Sequence, residues 1–180
     1  MILNNKTDFA LLQSSALIEL ILTEHHAYVR KESPELIALA EKVNRVHGDN
    51  HPELNEVVSI VKLIMADMDV HQMKEERILF PYIEAMESAQ NTGATLPQSC
   101  FGNVQNPINA MEHDHEEVKS LLARLEEITN KYTAPTDACT SYKSLYQRLE
   151  AFQKNTLRHI HLENDVLFKQ AIELQQRINE

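Results

Sequence analysis

The sequence predicts an all-α protein, an antiparallel four-helix bundle with one extra short helix between the first two long helices. Three observations predict this fold. The chain of 180 residues contains only three glycines and no tryptophan. Its apolar residues recur at alternating steps of three and four, as on the buried face of a bundled helix. Polar connections separate these periodic segments. We expect residues 1–10 to be a short lead-in and residues 11–180 to form one domain.

Two helices are predicted before residue 50. The first runs from about residue 9 to residue 31. The segment Ser33-Pro34-Glu35 then has the residues favoured at a helix start, namely a capping serine, a proline at the first helical position and an acidic residue. A short second helix is therefore expected from this segment to about Val46, ending at Gly48.

The third helix is predicted from about residue 52 to residue 88. Its core-facing positions alternate in steps of four and three. A histidine and a glutamate occupy two of these apolar positions. Pro81 is expected to bend the helix just beyond them. The core-facing positions are Val57, Val61, Ile64, Met68, His71, Glu75, Ile78 and Tyr82.

Two further helices follow the longest connection, which spans about residues 89–106. The fourth helix is predicted from about residue 107 to residue 130 and the last from about residue 136 to residue 175, with a break at residues 133–137. Both helices have a histidine in the core-facing register. The core-facing positions are Ile108, Met111, His115, Val118, Leu122 and Leu125 in the fourth helix, and Leu145, Leu149, Phe152, Thr156, His159, Glu163 and Val166 in the last.

One ten-residue motif occurs twice, at residues 71–80 and 159–168. Both copies read His, three residues, Glu, two residues, a β-branched residue, Leu and Phe. Positions four apart lie on one face of an α-helix, about 6 Å apart along its axis. Each copy therefore offers an imidazole and a carboxylate side by side. Two such helices facing each other predict a metal site, and one for two metals.

The spacing of further histidines repeats as well. His26 precedes His71 by 45 residues, and His115 precedes His159 by 44. Each half of the chain is thus expected to be a helix hairpin, with a histidine on its first arm and a His–Glu pair on its second. His47 has no counterpart in the second half, so an asymmetric site is expected. The groups expected to point inward are His26, His47, His71, Glu75, His115, His159 and Glu163.

Some of these positions have alternatives. The apolar stripe of the first helix reaches His25 by a step of three and His26 by a step of four, so periodicity alone slightly favours His25. His113 and His161 lie off the core face and are expected to be exposed. Glu24, Glu112 and Asp114 are candidate acceptors for orienting ligand imidazoles, but an exposed acidic face is the favoured interpretation of all three. Taken alone, one His–Glu pair is more often an ordinary contact on a helix surface, but two copies in the apolar register, with histidines on the other two helices, favour the metal site.

Bound metals would explain these polar groups in apolar positions, because an unpaired carboxylate or imidazole inside a bundle costs several kcal/mol. Each glutamate can bridge both metals, which leaves the five imidazoles to divide as three and two. The metal with two imidazoles would then have an open position for a small molecule. Nitrogen and oxygen ligands without thiolate suit iron, manganese or zinc, and the number of histidines favours iron.

The bulk composition argues against several classes of function. A formal charge of −10 argues against nucleic acid or an anionic membrane as partners. No apolar run approaches the roughly 20 residues of a membrane span, and the N-terminus lacks the pattern of a secretory signal. Cys100 and Cys139 lie in separate polar connections and are expected to be free thiols in a reducing cytoplasm.

In the repeated His–Glu motif and around its other histidines, the sequence resembles the hemerythrin-like di-iron proteins, and specifically the repair-of-iron-centres family of bacterial nitrosative-stress proteins. The resemblance covers about residues 17–170. Its marks are Ser33-Pro34-Glu35-Leu36, Arg45-Val46-His47, residues 71–81, Glu112-His113-Asp114-His115, Ala138-Cys139-Thr140 and residues 159–168. It implies that iron is bound by His26 rather than His25 and by His115 rather than His113. The full set of ligands that it implies is His26, His47, His71, His115 and His159, with Glu75 and Glu163 as bridges.

The resemblance also implies a function and a cofactor. The cofactor is two non-haem iron ions, bridged by carboxylates and an oxo or hydroxo group. The function is repair of iron–sulfur clusters damaged by nitrosative or oxidative stress, by iron donation or nitric oxide reduction. The expected partners are a small diatomic ligand, nitric oxide or dioxygen, and damaged iron–sulfur proteins, with the protein a monomer or dimer.

One feature of the family is expected to be missing. Many members carry an N-terminal domain with adjacent cysteines, whereas only about ten residues precede the first predicted helix here. Two other functions compete with cluster repair. One is a dioxygen-binding or sensing protein without turnover, and the other is a zinc-bound or metal-free interaction domain.

Overall fold

Four long helices form an antiparallel bundle. The computed structural model describes residues 9–96 and 98–179, and every regular element in this part of the chain is helical. The first two helices run in opposite directions, since His26 meets Glu76 at one end of their contact and Asn44 meets Asn55 at the other. The predicted all-α four-helix bundle is confirmed. The helices are α1 (residues 14–47), α2 (53–92), α3 (105–128) and α4 (140–179).

Three of these helices contain one turn of π-helix, which accommodates an extra residue in the helical path. The π-turns are Ile21–His26 in α1, Glu75–Leu79 in α2 and Glu163–Leu167 in α4. Both copies of the repeated motif therefore change to π-helix at their glutamate. The α-helical parts are Ser14–Leu20, Ala27–His47, Glu53–Lys74, Phe80–Thr92, Gln105–Ile128, Thr140–Leu162 and Phe168–Asn179.

The extra short helix predicted after Ser33 is wrong, because α1 continues through Pro34 to His47. Pro34 has no N–H to donate to the carbonyl one turn earlier. The proline is exposed, so this carbonyl lies on the solvent side of the helix. The buried stripe of α1 passes from Val29 to Leu36 without a break. Packing of this stripe outweighs the local signal for a helix start.

Short local structures lie before α1 and after α2. Of the predicted lead-in, residues 1–8 lie outside the described part, and Phe9–Leu11 forms a turn of 3₁₀-helix. Helix α2 ends at Gly93, whose left-handed φ of 71° lets its N–H bond back to the carbonyl of Ala89 at 2.9 Å.

Among the described residues, no helix combines the length and the apolar composition needed to cross a bilayer.

A polar layer divides the hydrophobic core into two clusters. One cluster, which includes Leu36, Ile64 and Phe152, fills the end of the bundle where α1 turns into α2. The other, which includes Ile83 and Phe168, fills the opposite end. Buried histidines and glutamates lie between the two clusters. The bundle therefore shields this layer from water on both sides.

Candidate metal centre

Six of the seven residues predicted to bind metal meet in the polar layer. Each of the four helices contributes one histidine, and α2 and α4 each add a glutamate. The donor atoms form two groups, and within each group all of them lie within 4.8 Å of one another. One group is His26, His159, Glu75 and Glu163, and the other is His71, His115, Glu75 and Glu163.

The two glutamates belong to both groups, and each turns one oxygen toward each group. Glu75 Oε2 lies 3.3 Å from Nε2 of His26, and its Oε1 lies 3.3 Å from Nε2 of His71. Glu163 repeats this arrangement with the histidines of α4 and α3, at 2.8 and 3.1 Å. Two carboxylates placed in this way are suited to bridge a pair of cations.

The donor set fits a pair of metal ions. Glu75 and Glu163 are completely buried, and none of their four carboxylate oxygens accepts a hydrogen bond from the described residues. A buried carboxylate without a partner costs several kcal/mol. Each group offers two imidazole nitrogens and two carboxylate oxygens, a donor set that iron, manganese and zinc accept. Bound cations would therefore satisfy the orphaned oxygens.

The four imidazoles direct Nε2 inward and Nδ1 outward. Nδ1 of His26 donates to Glu76 at 2.7 Å, and Nδ1 of His71 donates to Asp114 at 3.3 Å. Nδ1 of the α3 histidine donates to the side-chain oxygen of Asn164 at 2.8 Å. Nδ1 of His159 is buried without a partner among the described residues. A proton held on Nδ1 leaves the lone pair of Nε2 free for a metal.

The charges of this layer favour cations. Burial alone would lower the pKa of His71, but the negative charge of the nearby Glu75 outweighs burial and raises the pKa to about 9. Burial likewise lowers the pKa of His26, yet the adjacent carboxylate of Glu75 brings the net pKa above the ordinary value. For Glu163, burial alone would raise the pKa, whereas the charge of His159 holds it well below its usual range. Glu163 thus stays ionised and attracts positive charge.

His47 does not join the centre, which corrects the seven-residue ligand set predicted from the sequence. Because α1 is continuous, the 21 residues between His26 and His47 separate them by about 31 Å along the helix axis. His47 lies instead beside Cys139 and against the ring of Tyr142. The predicted division of imidazoles as three and two becomes two and two, and each group keeps both glutamates.

The π-turns explain how the repeated motif builds the site. The extra residue rotates the helical segment after it, so the predicted core position Ile78 is wrong and Tyr82 is only partly buried against the core. Ile78 is 47% exposed, whereas Leu79 and Phe80 are buried. The same shift in α4 buries Leu167 and Phe168, whereas the predicted Val166 is only partly buried. The phenylalanine of each motif then packs against the histidine of the preceding helix, with ring centres 5.8 Å and 6.1 Å apart.

Two residues that bond to Nδ1 of the ligand histidines were not predicted from the sequence. Glu76 and Asn164 each directly follow a glutamate of the repeated motif, and each holds Nδ1 of the histidine on the preceding helix. A polar residue at the same place in both copies is the signal that points to them. The third, Asp114, is one of three acidic residues for which the sequence favours an exposed face, whereas the structure places it 3.3 Å from Nδ1 of His71 as an acceptor.

The remaining histidines separate clearly by burial. The side chains of His113 and His161 are 74% and 63% exposed, which confirms the expectation for both. His25, which periodicity slightly favoured, is buried but outside both donor groups. Its ring stacks on that of His159 with centres 5.6 Å apart, and its Nδ1 bonds to Asn155 at 3.2 Å.

Several known proteins are similar to this chain. The sequence profile of the hemerythrin HHE cation binding domain matches residues 18–171. A probable iron-sulfur cluster repair protein of Haemophilus influenzae is 36% identical over 169 residues, which cover 94% of this chain and 70% of the relative. The iron-sulfur cluster repair protein YtfE of Musicola paradisiaca is 37% identical over 156 residues, which cover 87% and 64%.

A third relative has nearly the same length as this chain. The iron-sulfur cluster repair protein DnrN of Neisseria gonorrhoeae is 35% identical over 170 residues, which cover 93% of this chain and 99% of the relative. The chain therefore belongs to the hemerythrin HHE cation-binding family, in the branch of the iron–sulfur cluster repair proteins.

Proposed function

We propose that the protein binds two iron ions between Glu75 and Glu163 and acts in the repair of iron–sulfur clusters damaged by nitrosative or oxidative stress. Metal binding rests most firmly on these two fully buried glutamates, whose orphaned oxygens face two pairs of imidazole nitrogens. Nitrogen and oxygen donors without thiolate suit iron. The proposed ligands are His26, His71, Glu75, His115, His159 and Glu163.

The side chains divide the work of holding the ions. The two glutamates offset part of the cationic charge, and the neutral imidazoles add donors without adding negative charge. Iron held there would supply reversible binding of a diatomic ligand and electron transfer. The two core clusters limit access by water, and a surface cavity of about 130 Å³ reaches His71 beside Lys74 and Asp114. We infer that this cavity admits a molecule as small as nitric oxide or dioxygen.

The role in cluster repair is supported by the relatives. All three are named as iron-sulfur cluster repair proteins, one of them probable. The chain spans nearly all of the gonococcal protein but 64% of the YtfE protein, so the inference draws mainly on the former. The proposed partners are damaged iron–sulfur proteins. The proposed location is the cytoplasm, since both cysteines are free thiols.

Metal analysis of the purified protein tests the cofactor. Protein from iron-replete cells is expected to contain two irons per chain. An optical spectrum before and after reduction then reports whether the irons are bridged. Zinc in place of iron, or no metal at all, would leave only an interaction domain and overturn the proposal.

Anaerobic addition of nitric oxide to the di-ferrous protein tests the chemistry. Production of nitrous oxide, or release of iron that restores the activity of a nitric oxide-damaged iron–sulfur enzyme, is the expected result. A stable and reversible dioxygen adduct, with neither nitrous oxide nor cluster repair, would instead identify a carrier or sensor. The same assay on Glu163→Gln protein controls for free iron in solution.

A further inference from the structure

A second group of titratable side chains lies at the far end of the bundle from the metal centre. It forms where the end of α1, the turn before α2 and the start of α4 meet. Two motifs that the metal centre leaves unused come together here, namely Arg45-Val46-His47 and Ala138-Cys139-Thr140. The members of this group are His47, His51, Asp137, Cys139 and Tyr142.

The centre of the group is a cysteine paired with a histidine. Nε2 of His47 lies 3.1 Å from Sγ of Cys139, although 92 residues separate the two in sequence. The ring of the fully buried Tyr142 packs against His47, with ring centres 5.3 Å apart. The imidazole thus packs on a buried ring on one side and faces the thiol on the other.

A second histidine supports this arrangement. His51 Nε2 lies 3.0 Å from Asp137, and its Nδ1 lies 3.3 Å from Glu53. The ring of His51 also packs against Tyr142, with centres 5.5 Å apart. Tyr142 therefore lies between two histidines, one fixed by carboxylates and the other facing the thiol.

Cys139 is both exposed and placed for reaction. Its thiol is open to solvent, and the residue precedes the first helical residue of α4. Its Sγ therefore has an imidazole nitrogen within hydrogen-bond reach and lies at the amino end of a helix. Cys139 has the partners of a nucleophilic thiol, which a structural cysteine in an apolar core lacks.

We propose that Cys139, with His47 as its base, is a nucleophilic thiol that exchanges with low-molecular-weight disulfides and becomes a mixed disulfide. Nε2 of His47 takes the thiol proton as Sγ attacks one sulfur of the disulfide. A bond forms between Sγ and that sulfur, and the sulfur–sulfur bond of the small molecule breaks. The departing thiolate takes up the proton from His47. One thiol and one disulfide enter and one mixed disulfide and one thiol leave, so no other oxidant is needed.

The chain contains its own control. Cys100 is also exposed, but it lies in the connection between α2 and α3. No hydrogen bond joins its thiol to any other residue in the described part of the chain, whereas Cys139 has one to His47. Comparing the two cysteines in one sample therefore isolates the surroundings of the thiol.

The test is exposure of the full-length, iron-loaded protein to oxidised glutathione at neutral pH, with modified peptides followed by mass analysis. Cys139 is expected to form the mixed disulfide at least about tenfold faster than Cys100. His47→Gln is expected to remove most of that difference and leave the rate at Cys100 unchanged. An unchanged iron content shows that the variant is folded.

Two results would overturn the proposal. One is equal rates for both cysteines in the unaltered protein, a comparison that needs no variant. The other is a fast reaction of Cys139 that His47→Gln does not slow. The iron content of His47→Gln protein is expected to stay unchanged, so this test and the test of the metal centre are independent.

Discussion

The two halves of the molecule, residues 14–92 and residues 105–179, build the same inner site. Each half supplies a histidine from its first helix and a histidine, a glutamate and a buried phenylalanine from its second. Each glutamate starts a π-turn, and each phenylalanine packs on the first-helix histidine of its own half. The halves therefore agree in the residues that face the proposed ions.

The groups behind the imidazoles differ between the halves. Both histidines of the first half have a carboxylate on Nδ1, from Glu76 and Asp114. In the second half, one has the amide oxygen of Asn164 and the other, His159, has no partner in the described part of the chain. A carboxylate behind an imidazole makes it a stronger metal ligand. Each donor group thus combines one stronger and one weaker imidazole, and His159 is the weakest.

This difference has a simple origin in the repeat. Asp114 and His25 occupy equivalent places, each directly before the first-helix histidine of its half. Asp114 reaches Nδ1 of His71, whereas His25 stacks on the ring of His159 instead. The comparison teaches that the repeat preserves the metal ligands but not the residues that position them.

Loss of either glutamate is expected to have the largest effect, because each one serves both donor groups. Glu75→Gln or Glu163→Gln should each remove both irons, with a loss of affinity greater than the 100-fold or so that an outer partner typically costs. Iron content per chain is the measurement. Glu116→Gln, whose side chain is 67% exposed, is the matched control. Full iron content in either buried variant would refute the bridging role.

Substitutions of two histidines of α1 distinguish the ligand set seen in the structure from the set predicted from the sequence. His26→Ala is expected to remove the iron held with His159 and leave the other in place. His47→Ala is expected to keep both irons, because His47 lies about 31 Å along the helix from His26. Iron analysis of the two variants in parallel measures this difference. Loss of iron from the His47→Ala protein would show that His47 is a metal ligand.

The residues behind the ligands are expected to have the next largest effect. Glu76→Gln and Asp114→Asn should each weaken iron binding by about 10- to 100-fold, since each removes the carboxylate behind one imidazole. Asn164→Leu is expected to have a smaller effect, because it removes only a neutral acceptor. Competition with a chelator measures all three affinities. Asp69→Asn, at an exposed position of α2, is the control, and similar affinities in all variants would argue against positioning by these groups.

The smallest effect is expected from a substitution that gives the first half the acidic residue found in the second half. His25→Asp places a carboxylate at the position equivalent to Asp114, within the layer that contains Nδ1 of His159. Slower release of the iron held by His26 and His159 should follow, by less than about tenfold. Stopped-flow chelation, which resolves the two ions, is the measurement. Faster release would show that stacking by His25 holds His159 better than a carboxylate does.

The sequence was sufficient to predict the four-helix bundle and to place six of the seven predicted ligands in one buried layer. The alternating steps of three and four predicted the four helices, and the duplicated motif predicted both glutamates. These features could be predicted because the apolar face of a helix, and any polar residue within that face, follow from residues close together in the sequence. Pro34 shows where local rules fail, since the stripe from Val29 to Leu36 carries α1 through a proline that predicts a break.

Neither the π-turns nor the residues that bond to Nδ1 of the histidines could be predicted from local sequence patterns. Periodicity assumes a constant helical repeat, so it placed Ile78 inside, whereas the turn that begins at Glu75 brings Phe80 in instead. The contact between His47 and Cys139 depends on α1 continuing without a break to His47, which no local pattern indicated. Both the count of inward-facing groups and the similarity in sequence suggested His47 as a ligand, whereas its position along the bundle separates it from both donor groups.

Anomalous diffraction from crystals of the iron-loaded protein, measured on both sides of the iron absorption edge, addresses the bridged centre most directly. We expect two iron peaks in the polar layer between Glu75 and Glu163, one near His26 and His159 and the other near His71 and His115. A single peak, no peak in this layer, or an iron peak at His47 would contradict the paired, carboxylate-bridged centre.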